Sequence, residues 1–188
     1  EFHLRLFQIL NPKYLITTNW DNLLEKTIAN NGLFYDVIKN EADLGEPHSP
    51  RKLIKVHGDL DAQNIVFKED DYLKYSLNNP SFDNLLKHVL STTTVLFLGY
   101  SYSDPNIKQI VKWIEKNSKV SPPRFLLLKD ISPLENKYFE NHGIRVLTFL
   151  REEKPEEDEF KKLYEKLFNS IEMTIKGEYI LDNYKENN

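Results

Sequence analysis

The chain has 188 residues, 29 acidic and 25 basic, with a formal net charge of -4 and 40% hydrophobic residues. That suffices for one globular domain with a real core, and the mildly acidic balance carries no direct sign of nucleic-acid binding, which leaves a basic footprint. The absence of cysteine excludes disulfides, a thiolate nucleophile and Cys-ligated zinc; with no apolar run long enough for a membrane span and no visible signal peptide, a cytoplasmic protein without membrane attachment is expected.

The chain opens on Glu1 rather than Met, and residues 1–10 read as the end of a helix, so a longer parent polypeptide is expected. Tyr14 to Thr18 is apolar and β-branched, the character of a short buried strand. A helix is predicted directly after it, with Trp20, Leu23, Leu24, Thr27 and Ile28 on one face and Gly32 as its stop. The polar stretch from Val37 to Arg51, with Gly45, Pro47 and Pro50, predicts a loop. Lys52 to Val56 is a second strand, ending at His57-Gly58-Asp59, and Ile65-Val66-Phe67 is a short strand or extended segment. Phe82, Leu85, Leu86, Val89 and Leu90 have the spacing of an amphipathic helix.

Thr94 to Gly99 is the clearest strand, and Ser103-Asp104-Pro105 opens a helix with Ile107, Ile110, Val111 and Ile114 inward. Arg124 to Leu128 predicts a strand, Ser132 to His142 a helix and Ile144 to Phe149 a further strand. The acidic run from Glu152 to Glu159 leads into a last helix with Phe160, Leu163, Leu167, Phe168 and Ile171 on one face, and a polar tail follows Gly177. Two portions are expected: residues 1–150 as an α/β domain, and residues 151–188 as an acidic helix and tail. Strands alternating with helices predict a parallel sheet with helices on both faces, which binds ligands at the carboxyl ends of its strands.

Three strand ends carry candidate chemistry. Thr17-Thr18-Asn19-Trp20-Asp21 leaves a strand and enters a helix, where backbone amides and side chains meet. The plainer reading is helix capping, since Thr18 and Asp21 have capping-box spacing and Asn19 is also a good cap. Val56-His57-Gly58-Asp59 puts an imidazole, able to take a proton near neutral pH, at a strand end, where the plainer reading is a turn histidine. Gly99-Tyr100-Ser101-Tyr102-Ser103-Asp104 joins a strand, a glycine, hydroxyls and a helix N-terminus, a combination suited to an anion, or again to a cap. The remaining histidines, His3, His48, His88 and His142, have no metal-ligand spacing, and the six isolated glycines form neither a GxGxxG fingerprint nor a Walker A loop.

Taken in order, these boxes resemble those of sirtuin-like NAD-hydrolase domains of bacterial antiphage defence proteins. Such domains carry a Thr-Thr-Asn-aromatic-Asp box, a His-Gly box, an Ile-Val-x-x-x-x-Asp-Tyr stretch, matched by Ile65-Val66 and Asp71-Tyr72, and a Gly-Tyr-Ser-x-x-Asp box. The resemblance covers Tyr14 to Phe149 and implies a Rossmann-like fold in which NAD, as substrate, loses nicotinamide to water without a metal. It assigns His57 as the base acting on a ribose hydroxyl and Asn19 as the holder of the ribose and the attacking water. Asp21, with Trp20 beside it, faces the nicotinamide carboxamide; Thr18 is part of the same NAD-binding box. Gly99 and Ser101 line the phosphate and adenosine-ribose side, and Leu128-Lys129 falls where the family contacts adenosine.

Two departures shape the expectation. Protein-deacetylating sirtuins have Thr-Gln-Asn and a four-cysteine zinc module; here Thr18 replaces the glutamine and cysteine is absent, so NAD hydrolysis is expected rather than deacetylation. The Gly-Ala-Gly segment that grips the pyrophosphate would precede Glu1, so the domain is read as incomplete, and residues 1–188 alone are expected to hydrolyse little NAD. Further domains of the parent chain and other copies of it are the expected partners. The alternative is a sirtuin-like module that senses a nucleotide or mediates an interaction without turnover.

Overall fold

The computed structural model describes residues 2–45, 48–56, 79–99, 105–117, 122–129, 131–148 and 159–176. The chain divides into two compact units, one of residues 1–12 with 149–188 and one of residues 13–148.

In the smaller unit, a helical turn α1 (Phe2–Arg5) runs into a π-helical turn (Leu6–Leu10), which Asn11 ends in the left-handed conformation with φ 43°. Asparagine tolerates that conformation better than most residues because its short amide can bond locally. The ring of Phe2 meets Tyr164 edge-on at 4.9 Å, and Arg5 donates to Asn169 at 2.9 Å. Both partners belong to the last helix, which spans Glu159–Ile175, and Leu163, Leu167 and Phe168 are buried as its apolar spacing predicts.

The larger unit begins with β1 (Tyr14–Thr17), α2 (Leu23–Asn30), β2 (Asp36–Ile38), a 3₁₀ turn (Glu41–Leu44) and β3 (Lys52–Lys55). These strands form a parallel sheet in the order β1-β3-β2, with Thr17 opposite Lys55 and Ile38 opposite Ile54. The loop expected from Val37 to Arg51 is therefore corrected: it contains most of a strand and a 3₁₀ turn. A strand of three residues shows no alternation of its own, and it exists because β3 supplies the ladder. The intervening turn is closed by a capping box in which the Asn40 side chain accepts from the Asp43 amide and the Asp43 carboxylate accepts from the Asn40 amide.

Then follow α3 (Pro80–Thr92), β4 (Val95–Phe97), α4 (Pro105–Asn117), β5 (Arg124–Leu127), α5 (Pro133–Asn141) and β6 (Ile144–Leu147). A second parallel sheet has the order β4-β5-β6. The expected α/β architecture is present, with each of these elements within a residue or two of its sequence-based range. Helix α3 starts on a proline, and its next two amides, of Ser81 and Phe82, donate to the Glu41 carboxylate at 2.7 and 3.1 Å. Glu41 thus caps a helix forty residues away, and a hydrogen bond from the Ser81 side chain, ahead of those from the Phe82 and Ser81 amides, holds its carboxyl below the usual range.

Side-chain alternation sorts the faces of the first sheet. Ile54 and Val56 join Ile38, Phe82, Leu86, Leu90 and Ile114 in one buried cluster, so α3 covers that face. Leu53 and Lys55 point the other way, toward the α2 side, where Lys55 meets Glu25. The second sheet contributes Leu126 and Ile144 to a cluster with Val111 of α4, against which Phe139 of α5 packs.

Candidate functional site at the carboxyl ends of β1 and β3

Strand β1 ends at Thr17, whose carbonyl accepts from the Val56 amide at 2.9 Å. The last described residue before His57 therefore lies against the residue that opens the Thr18–Asp21 turn. Within that turn the Asn19 amide donates to the Thr17 hydroxyl at 3.1 Å, and the Leu23 amide donates to one Asp21 carboxylate oxygen at 3.1 Å. Asn19 and Asp21 are exposed, while Thr18 and Trp20 are half-buried.

These contacts revise the expected helix start. The helix begins at Leu23, not at the turn, so Trp20 precedes it rather than lying on its face, and Leu23 is exposed. The Thr18–Asp21 capping box does not form, because the helix starts too late for that spacing. Asp21 nonetheless does part of a cap's work by accepting from the first helical amide with one oxygen, and Asn22, at the N-cap, makes no side-chain cap bond.

Gly99 follows β4 in the second sheet, exposed and with φ 62°, a backbone conformation that suits glycine. No strand pairing among the described residues joins β4 to β1 or β3. Leu128 and Lys129 follow β5, and the Leu128 amide donates to the Leu147 carbonyl. His57, Ser101, Ile65-Val66-Phe67 and Asp71-Tyr72 lie outside the described residues. The structure thus brings Thr18, Asn19, Trp20 and Asp21 to the strand end that leads to His57, and sets Gly99 at the end of a separate strand.

One participant is not among the residues singled out from sequence. Lys55, with a side chain 0% exposed, donates from Nζ to the Asp21 carbonyl at 2.6 Å, the Trp20 carbonyl at 3.4 Å and Glu25 Oε1 at 2.7 Å. The signal was the second of two lysines that bracket Leu53-Ile54 in β3, which reads as a strand terminus until the strand proves to be central.

Among the described residues, the groups with displaced pKa lie elsewhere. Burial pushes the Asp36 carboxyl up, but hydrogen bonds from the Ser49 and His48 amides and from Lys52 outweigh it and hold it below 3.8. The Ser132 amide and hydroxyl hold Glu135 down within the capping box that starts α5. Both carboxylates bind their own loops and helices. Among the described residues, no group of three or more His, Cys, Asp or Glu could hold a metal ion, and no helix is long and apolar enough to cross a membrane.

Residues 13–147 match the SIR2-like domain family. The chain belongs to that family. Among its relatives, this SIR2-like domain is 40% identical over 146 residues to defense-associated sirtuin 2 of Bacillus subtilis, covering 73% of this chain and 14% of that protein. It is 34% identical over 122 residues to the NAD(+) hydrolase ThsA of Enterococcus faecium, covering 61% of this chain and 25% of the relative. The ThsA of Cytobacillus dafuensis is 36% identical over 101 residues, covering 52% and 20% respectively. The chain thus spans a quarter or less of the length of these relatives.

Proposed function

We propose that the polypeptide carrying this SIR2-like domain is an NAD glycohydrolase acting in antiphage defence. The observation that carries the reading is the hydrogen-bonded meeting of Thr17 and Val56, which sets the Asn19–Asp21 turn beside the strand leading to His57. Supporting it, two of the relatives above are named NAD(+) hydrolase and a third is a defense-associated sirtuin.

In this reading the bond between nicotinamide and the ribose breaks, nicotinamide leaves neutral with the bonding electrons, and a water molecule adds to the oxocarbenium-like ribose, its surplus proton restoring the ribose hydroxyl that His57 deprotonates while His57 sheds the proton it took to solvent. His57 takes the proton of a ribose hydroxyl, a contribution of about 10²–10⁴-fold for a general base. Asn19 holds the ribose and the water, Thr18 and Trp20 line the turn, and the Asp21 carboxylate accepts from the nicotinamide carboxamide. Gly99 and Ser101 hold the phosphates and adenosine ribose. Fixed donors and acceptors of this kind act by orientation and by favouring the developing charge. The same reading places action in the cytoplasm, where NAD is available, divides the chain near residue 150 and assigns further domains and other copies as partners.

Nicotinamide release and NAD binding, measured on the complete polypeptide and its His57→Ala variant, test this. Hydrolysis by the wild type, with turnover lost and binding kept in the variant, is the expected result. Binding without turnover by the wild type makes the domain a nucleotide sensor instead, and no binding by either overturns both readings.

A further inference from the structure

Lys55 sits in the middle strand of its sheet, between β1 and β2, and its ammonium is removed from water. Burying a cation costs several kcal/mol unless it is paired and hydrogen-bonded. Its location raises that cost, because the N-terminus of α2 carries the positive end of the helix dipole. An apolar side chain of similar length would fill the same space without the charge, and such replacements are often neutral or stabilising when the partner is replaced too. Packing alone does not account for a lysine here.

Its contacts do. Among the described residues its acceptors include the successive backbone carbonyls of Trp20 and Asp21, and Glu25 in the first turn of α2. The side chains of Asn19 and Asp21 are exposed above this buried anchor. The turn is therefore tied from beneath by its carbonyls, and its functional groups remain open to a ligand. Glu25, 16% exposed, supplies the counter-charge and links the anchor to the helix that follows the turn.

We propose that Lys55 is a positioning residue that fixes the Asn19–Asp21 turn for NAD, resting on the reading of that turn as the nicotinamide and ribose site. The ammonium of β3 sets the turn after β1 at a constant height relative to the strand end that leads to His57. A displaced turn costs the alignment of reacting groups, so the loss falls on kcat more than on KM.

The test compares the complete polypeptide with its Lys55→Met/Glu25→Gln variant, which removes both charges and avoids stranding the carboxylate. Lys52→Met, which breaks the ion pair with Asp36 at the other end of β3, serves as the control. Thermal melting, hydrogen exchange of the segment 18–23 and NAD kinetics are read on each. The double variant is expected to melt near the wild type, to exchange faster in that segment, and to lose about tenfold or more in kcat, as misplacement of an aligned group does. Lys52→Met keeps wild-type exchange at residues 18–23 and wild-type kcat. Unchanged exchange in the double variant overturns the anchoring role, and faster exchange with unchanged kcat overturns its bearing on the reaction. A wild type that does not cleave NAD refutes the functional reading instead, and exchange then decides the anchoring alone.

Discussion

One Asp21 carboxylate oxygen binds the helix and the other is proposed for NAD, and Asp21→Asn separates the two. One oxygen accepts from the Leu23 amide at 3.1 Å. In the asparagine variant the side-chain oxygen must keep that place, because an amide NH₂ cannot accept from a backbone N–H. The NH₂ then faces outward, and the second acceptor, proposed for the nicotinamide carboxamide, becomes a donor. Asparagine and aspartate cap helices about equally well, and the lost charge at the helix N-terminus is worth roughly 0.3–1 kcal/mol. A hydrogen bond to a charged group is worth about 1.5–3 kcal/mol, which is roughly ten- to a hundredfold in kcat/KM. Asp21→Asn is therefore expected to melt close to wild type while kcat/KM for NAD falls by at least about tenfold. Asp21→Ala loses the helix contact as well, with a further stability loss of about 0.5–2 kcal/mol. The assay is nicotinamide release at varied NAD alongside thermal melting. If Asp21→Asn stays within about twofold of wild-type kcat/KM, well inside the loss expected of a charged hydrogen bond, Asp21 is a helix cap and the nicotinamide assignment fails.

Two further outcomes concern stability. Leu86→Ala in α3 removes a fully buried side chain from the cluster that includes Ile38, Ile54 and Ile114; a loss of about 2–5 kcal/mol is expected in denaturant unfolding, and one below about 1 kcal/mol contradicts the assigned packing. Asp36, with its carboxyl held below 3.8 in the fold, stabilises fully above its unfolded value, and the contribution disappears as pH falls through the lower folded value. The stability gap between wild type and Asp36→Asn is therefore expected to close as pH falls below the usual carboxylate range, and a gap that persists at the acid end refutes the assignment.

Much of the architecture was legible because it is written in short-range spacing. The apolar periodicity of Phe82, Leu86 and Leu90 sets α3, and the helix read from Ser132 is present as α5, its start fixed in the structure by a capping box of Ser132 with Glu135. The Thr-Thr-Asn-Trp-Asp box was legible as a candidate site, but its local geometry was not. Asp21 and Trp20 looked like helix residues, and only the late start of α2 at Leu23 leaves them in a turn with their carbonyls available to Lys55.

Residue spacing by itself determined the alternation of strands and helices and the helix faces, because these depend on neighbours within a few positions, and the family boxes were legible by their resemblance to known domains. The tertiary fold alone decided that Asp36–Ile38 is a strand, that β3 is the middle of its sheet, and that Lys55 is removed from water. Strand order is a relation between distant segments. It determines which edges are hydrogen-bonded and which side chains meet, and no local pattern encodes it.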